Sequence, residues 1–271
     1  YVMSEKILVP IDFTDLSEKV IEQALLISAG SGLQMVLLHV VKSDNEKEEA
    51  RMKMEKFVAN HSSPEVSASE MLVRTGSIFN EIPGEAKDSA YKMVIIGTHG
   101  IKGLKQKLIG ADIIKIVAKS AAPCLVIQND YPVKHEFKKI ILPVASHEGY
   151  GKLVDSACFL ASAFGAEVHL FSIEKPGYEW PDSIKSNIHI ARQKIEKHNL
   201  VLKRIKEKQT VLSVGYARQT LRYSAQEKAD LIAVMAVSSD EYHYFANQDK
   251  EDLVNNEQGI PVLFASDKEQ Y

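Results

Sequence analysis

The residues with the clearest chemical potential are the glycines of Gly97-Thr98-His99-Gly100 and, after nine intervening positions, Gly110. The segment follows an apolar run and leads into a helix-period stretch. Glycine lets the backbone approach a phosphate closely, and a helix N-terminus presents unpaired N–H groups to an anion. Two further positions belong with it. Asp12, two residues after Pro10, offers a carboxylate that can accept from an adenine amino group or a ribose hydroxyl. Val40 ends another apolar run, where its backbone can read an adenine edge while its side chain packs on the ring. Taken singly, Asp12 reads as a turn or cap residue and Val40 as core. Their shared place beyond strand ends makes them a candidate site, because open α/β sheets bind ligands there.

The elements that position these residues are legible as an alternation. KILVPIDF (6–13) reads as a buried strand. Asp15 reads as an N-cap, with Glu18 completing a capping box. The helix that follows places Leu16, Val20, Ala24 and Ile27 on one face and is stopped by Gly30 and Gly32. LQMVLLHVV (33–41) is a second strand, and a charged helix covers about 45–60. Strands are expected over 66–74, 93–96 and 124–127, and helices over 78–90 and 111–121, the last with Ile113, Ile116 and Val117 inward. Continuous Val/Ile/Leu strands separated by helices indicate a parallel sheet covered on both faces, wound by right-handed crossovers.

The pattern then restarts. Lys6-Ile7-Leu8-Val9-Pro10-Ile11 is echoed by Lys139-Ile140-Ile141-Leu142-Pro143-Val144, and Gly32 by Gly165. Arg74-Thr75-Gly76 is echoed by Ser213-Val214-Gly215, and Ala122-Pro123-Cys124-Leu125 by Ile260-Pro261-Val262-Leu263. The expectation is an α/β protein of two doubly wound domains, each a five-stranded parallel sheet with helices on both faces, related by pseudo-two-fold symmetry. The first domain covers 3–128, a polar linker 129–138, and the second domain 139–267.

With these motifs quoted, the chain resembles a tandem universal stress protein. That family's nucleotide motif is Gly-x2-Gly-x9-Gly-Ser/Thr, and Gly97, Gly100 and Gly110 match its spacing. Pro10-Ile11-Asp12-Phe13 resembles its first-strand segment, and Leu38-His39-Val40 its second-strand end. The resemblance implies a stress-response protein that binds adenine nucleotide (ATP, ADP or AMP) without catalysis and without a required cofactor or metal. Its implied nucleotide contacts are Pro10, Asp12, Val40, Gly97, Thr98, His99, Gly100, Gly110, Ala111 and Asp112. Ala111 stands where the family has Ser or Thr, which removes a hydroxyl donor worth about 0.5–1.5 kcal/mol. Asp112 adds a carboxylate in the first helical turn, where it suits the helix dipole and opposes a triphosphate. Lys102, Lys105 and Lys107 in the loop read as solvated charges that partly offset it. A weak first site favouring fewer phosphates than ATP is expected.

The second half loses this constellation. Ala145 stands in place of Asp12, Ile173 in place of Val40, and VSSDEYHY (237–244) in place of the glycine loop. Its expected role is that of an intramolecular pseudo-dimer partner, with Pro261–Ala265 pairing with Cys124–Ile127 and covering two sheet edges. Further homodimerisation is left open.

Other signals carry less. His189 and His198 share no helical face for a metal, and His243 beside Asp240 and Glu241 reads as a polar loop. Tyr178 and Trp180, beside Pro176 and Pro181, read as a packed loop or a contact surface. No Gly-x-Ser-x-Gly and no P-loop signature occurs, nor the His-x-Gly-His and Ser-Gly-Gly-x-Asp-Ser motifs of adenylyl chemistry. Ligand-free interaction and slow ATP hydrolysis are the alternatives to nucleotide binding. The 271 residues carry a net charge of −3, which gives no reason to expect nucleic acid or a membrane as partner. Two cysteines in apolar segments read as buried free thiols of a cytoplasmic protein. The start reads directly into a strand, with no signal peptide and with Met3 as the natural start.

Overall fold

The computed structural model describes residues 5–60, 64, 70–98, 110–128, 132–133, 136–210, 216–237 and 247–271. They form two compact units, 1–135 with 268–271 and 136–267. In the first unit, β1 (Lys6–Pro10), α1 (Asp15–Ser31), β2 (Gln34–Val41), α2 (Lys47–Ala59), β3 (Glu70–Thr75), α3 (Ile78–Glu85), β4 (Tyr91–Gly97), α4 (Gly110–Lys119) and β5 (Cys124–Ile127) follow in order. The strands lie in the order β3-β2-β1-β4-β5, and every described pairing is parallel. The order reverses between β1 and β4. That reversal opens a crevice beyond their C-terminal ends, where an α/β sheet offers a ligand site.

The core follows the sequence pattern. Leu8, Val9, Leu37, Val94, Ile95 and Leu125 are fully or almost fully buried. Leu16, Val20, Ala24 and Ile27 bury the inner face of α1, and Ile113, Ile116 and Val117 that of α4. Each such aliphatic side chain contributes about 1.5–3 kcal/mol when taken from water. Gly32 ends α1 in the left-handed conformation (φ 75°), its N–H bonded to Ser28 O, whereas Gly30 lies inside the helix.

Some expectations need correction. The N-cap of α1 is Thr14, not Asp15, and no side chain of the expected Asp15–Glu18 box caps the helix. The local hydrogen bonds come instead from Asp12, three residues earlier. β1 ends at Pro10, short of Phe13, because the chain turns there and Phe13 takes φ 64°. α3 ends at Glu85, where Gly84 weakens the helix and Asp88 Oδ1 accepts from Ala90 N to close the next turn (2.9 Å).

The second unit runs β6 (Lys139–Pro143), α5 (Tyr150–Phe164), β7 (Glu167–Glu174), α6 (Asp182–Lys197), β8 (Leu202–Lys208), α7 (Tyr216–Gln226), β9 (Leu231–Met235), α8 (Asn247–Val254) and β10 (Val262–Ala265). Its order is β8-β7-β6-β9-β10, again with parallel pairings, so the two units share one topology. The registers give the correspondence. Lys6 faces Gln34 as Lys139 faces Glu167, and Ile7 faces Met93 as Ile140 faces Leu231. Cys124 and Cys158 are buried free thiols, and burial pushes each up to about 12. No described helix is long and apolar enough to cross a membrane.

Candidate functional site

In the first unit a narrow cleft opens at the reversal between β1 and β4. Pro10, Asp12, Val40 and Gly97 all line it, brought together from the ends of β1, β2 and β4. Thr98 follows, buried, with its N–H bonded to Ile127 O (2.9 Å). Gly110 begins α4 and is buried, and Ala111 and Asp112 are half-buried in its first turn. Asp112 Oδ1 lies 3.0 Å from Lys115 Nζ, which offsets part of its charge. His99, Gly100 and the loop lysines 102, 105 and 107 lie outside the described residues.

Asp12 is 3% exposed. Its Oδ1 accepts from Thr14 N (3.2 Å), Thr14 Oγ1 (2.6 Å) and Ser17 Oγ (2.7 Å), and Asp12 N donates to Ser17 Oγ (3.0 Å). One carboxylate oxygen therefore ties the β1 end to the first turn of α1. Gly97 leaves room for Leu16: a Cβ there would lie 2.7 Å from Leu16 Cδ2, so that side chain would have to shift. Beside Asp12, Phe13 holds a left-handed φ that a bulky residue adopts only under strain. Its ring packs on His39 (centroids 4.6 Å apart) and Phe57 (5.7 Å). His39 Nδ1 donates to Ile11 O (2.8 Å), which places that nitrogen's proton.

The cleft itself measures about 30 Å3, room for a water or two rather than a ring. A wider recess of about 560 Å3 shares Asp12 and His39 with it and runs along α2 past Lys53 and Phe57. Sequence reasoning missed the cleft's helical wall: Leu16, Ser17 and Val20 from α1, and Ile78 and Ile82 from α3. Their helical spacing was a visible signal for burial, but not for which cavity they close.

Among the described residues, side chains fill the corresponding place in the second unit. Counting from the shared register, Tyr150 stands where Ser17 stands. It is 1% exposed and donates its hydroxyl to Pro143 O (2.9 Å), and burial pushes its pKa well above the usual tyrosine range. Asn187 Nδ2 donates to Ala145 O (2.7 Å) and His147 O (3.0 Å). Trp180 Nε1 donates to Ile173 O (3.3 Å). Met235, buried, stands where Gly97 stands. The protein's own side chains thus hydrogen-bond to backbone carbonyls at and just beyond the ends of β6 and β7. The segment 238–244, expected to lack a phosphate cradle, lies outside the described residues, as does Ser213-Val214-Gly215.

Fold and cleft define a doubly wound α/β protein with a crevice at the switch point of its first unit. Residues 3–128 match the universal stress protein family, and the first half of the chain is a universal stress protein domain. The chain is 22% identical over 148 residues to universal stress protein YxiE of Bacillus subtilis, a match covering 46% of this chain and all of that one. It is 26% identical over 158 residues to universal stress protein MJ0577 of Methanocaldococcus jannaschii, covering 47% of this chain and 97% of the relative. A crystal structure of a universal stress protein from Archaeoglobus fulgidus matches in fold at 17% identity and a TM-score of 0.72. That match spans 98% of this chain and 99% of the other, so both halves share the fold.

Proposed function

We propose that the first unit binds an adenine nucleotide across the cleft bounded by Pro10, Asp12, Val40 and Gly97 and the wider recess that shares Asp12 and His39 with it, and that the protein acts by binding rather than turnover. The observation that carries this reading is the meeting of those four residues at the sheet's switch point, within a universal stress protein domain. Adenine lies against Val40 with its edge toward the β2 backbone, and the ribose lies beside Asp12. The phosphates run past Gly97 toward the loop that ends at Gly110. Ala111 supplies no hydroxyl there and the Asp112 carboxylate opposes a triphosphate, so AMP and ADP bind more tightly than ATP. The narrowness of the cleft and the internal hydrogen bonds of Asp12 favour a second reading, a ligand-free interaction module of the same fold.

The two readings part on one experiment. Protein purified without added nucleotide is denatured, and the released small molecules are identified by mass spectrometry. The proposal expects AMP or ADP in wild-type material, and calorimetric titration with AMP, ADP and ATP that ranks them in that order. No released nucleotide, together with no thermal shift at millimolar ATP, selects the ligand-free reading.

A further inference from the structure

The second unit carries a concavity of its own, at the C-terminal ends of β7 and β8, of about 640 Å3. That is within the size range of small-ligand sites. None of its lining residues corresponds to a residue of the first-unit cleft. We propose that it binds a small ligand joining a planar ring to a phosphate, independently of the nucleotide reading of the first unit.

The walls are built for both parts of such a ligand. Lys175-Pro176-Gly177-Tyr178 is a tight turn: Tyr178 N donates to Lys175 O (3.1 Å), and Gly177 takes φ 77° after a proline. Proline followed by a left-handed glycine is the signature of a type II turn, which fixes the ends of the segment before any ligand arrives. The turn brings Lys175 Nζ to 4.5 Å from the Tyr178 ring centroid, while Tyr178 stays 62% exposed. Trp180 is anchored through its Nε1–H, and Lys206 Nζ lies 4.9 Å from its ring. Two aromatic rings thus stand beside ammonium groups, and a ligand ring can stack on them.

The charge is supplied by Lys175, Lys185, Lys206 and Lys208. Lys206 and Lys208 lie on one face of β8, as the two-residue strand period requires. Lys206 pairs with Glu174 (3.3 Å) and Lys185 with Asp182 (3.5 Å). Glu179 adds one further carboxylate to the lining. Lys175 and Lys208 form no ion pair among the described residues, and two such ammonium groups suit a dianionic phosphate better than a single carboxylate.

Trp180 is the only tryptophan in the chain, so its emission reports on this concavity. The 271-residue protein is titrated with AMP as the ring phosphate, with adenosine as the ring alone and with inorganic phosphate as the anion alone. Saturable quenching by AMP is expected, with at least about tenfold weaker responses to the other two. The exposed double variant Lys175→Glu, Lys208→Glu, checked for folding by circular dichroism, is expected to raise half-saturation by about tenfold or more. The Asp12→Ala variant is expected to leave the response intact, which separates this site from the first. An absent or unsaturable AMP response, an equal response to phosphate or adenosine alone, or an unchanged response in the double variant would overturn the proposal.

Discussion

The same crevice is built twice in this chain, and among the described residues only the first copy is open. Three small or polar residues, Ser17, Asp12 and Gly97, stand among the aliphatic walls of the first. Around the second stand Tyr150, Ala145 and Met235. The packing is compensated rather than merely altered. In the first unit Leu16 fills the room that Gly97 leaves, at 2.7 Å from where a Cβ would lie. In the second unit Gly149 stands at the position of Leu16, with Met235 Cε 4.0 Å from its missing Cβ. Large and small residues have changed places across the same two elements. A topology can therefore be kept while its ligand crevice becomes core, provided the swapped volumes still close the space.

This comparison can be broken from its most heavily packed side. Tyr150→Ala empties the second crevice and is expected to cost about 3–5 kcal/mol of stability in denaturant titration. Tyr150→Phe keeps the ring, loses the bond to Pro143 O, and costs about 1 kcal/mol. A Tyr150→Ala loss below that of Tyr150→Phe would mean the ring is not what closes the crevice. Next in size, Gly97→Ala forces Leu16 aside and is expected to cost about 1–3 kcal/mol and to weaken nucleotide binding.

Asp12→Ala removes the acceptor that ties Thr14 and Ser17 to β1, for about 1–2 kcal/mol, whereas Asp12→Asn loses less. Ala111→Ser restores a hydroxyl at the head of α4 and is expected to tighten ATP by about 0.5–1.5 kcal/mol without changing adenosine binding, as read by calorimetry. The smallest effect is in acid. Hydrogen bonds from Lys203 and His169 hold the Glu167 carboxyl below the usual carboxylate range. Its contribution to stability is present above the unfolded-state pKa and is lost as pH falls through the folded-state one. The first unit has Gln34 at that position, so Glu167→Gln should flatten the acid limb of the stability curve by lowering neutral stability toward its acid value.

Much of this was legible in the chain itself. The strands could be read because a sheet buried on both faces demands unbroken runs such as Met35–Leu38 and Met93–Ile96. Pro10, Asp12, Val40 and Gly97 could be read because each lies at or just past a strand end, and the topology gathers strand ends. The α1 cap was misplaced because Asp12, Asp15 and Glu18 all suit a helix start, and only the turn at Phe13 decides among them. The helical wall of the cleft was hidden because Ser17, Ile78 and Ile82 meet only through tertiary packing. The closing of the second crevice did have a signal: the repeat offset sets Tyr150 on Ser17, a polar residue replaced by a large ring.

The most direct test of one open and one closed crevice is amide hydrogen exchange with and without ADP. Slowed exchange in peptides covering 8–17 and 36–41, with none in peptides covering 141–154, is the predicted result. Protection at 141–154 equal to that at 8–17, or no protection at 8–17 under saturating ADP, would contradict it.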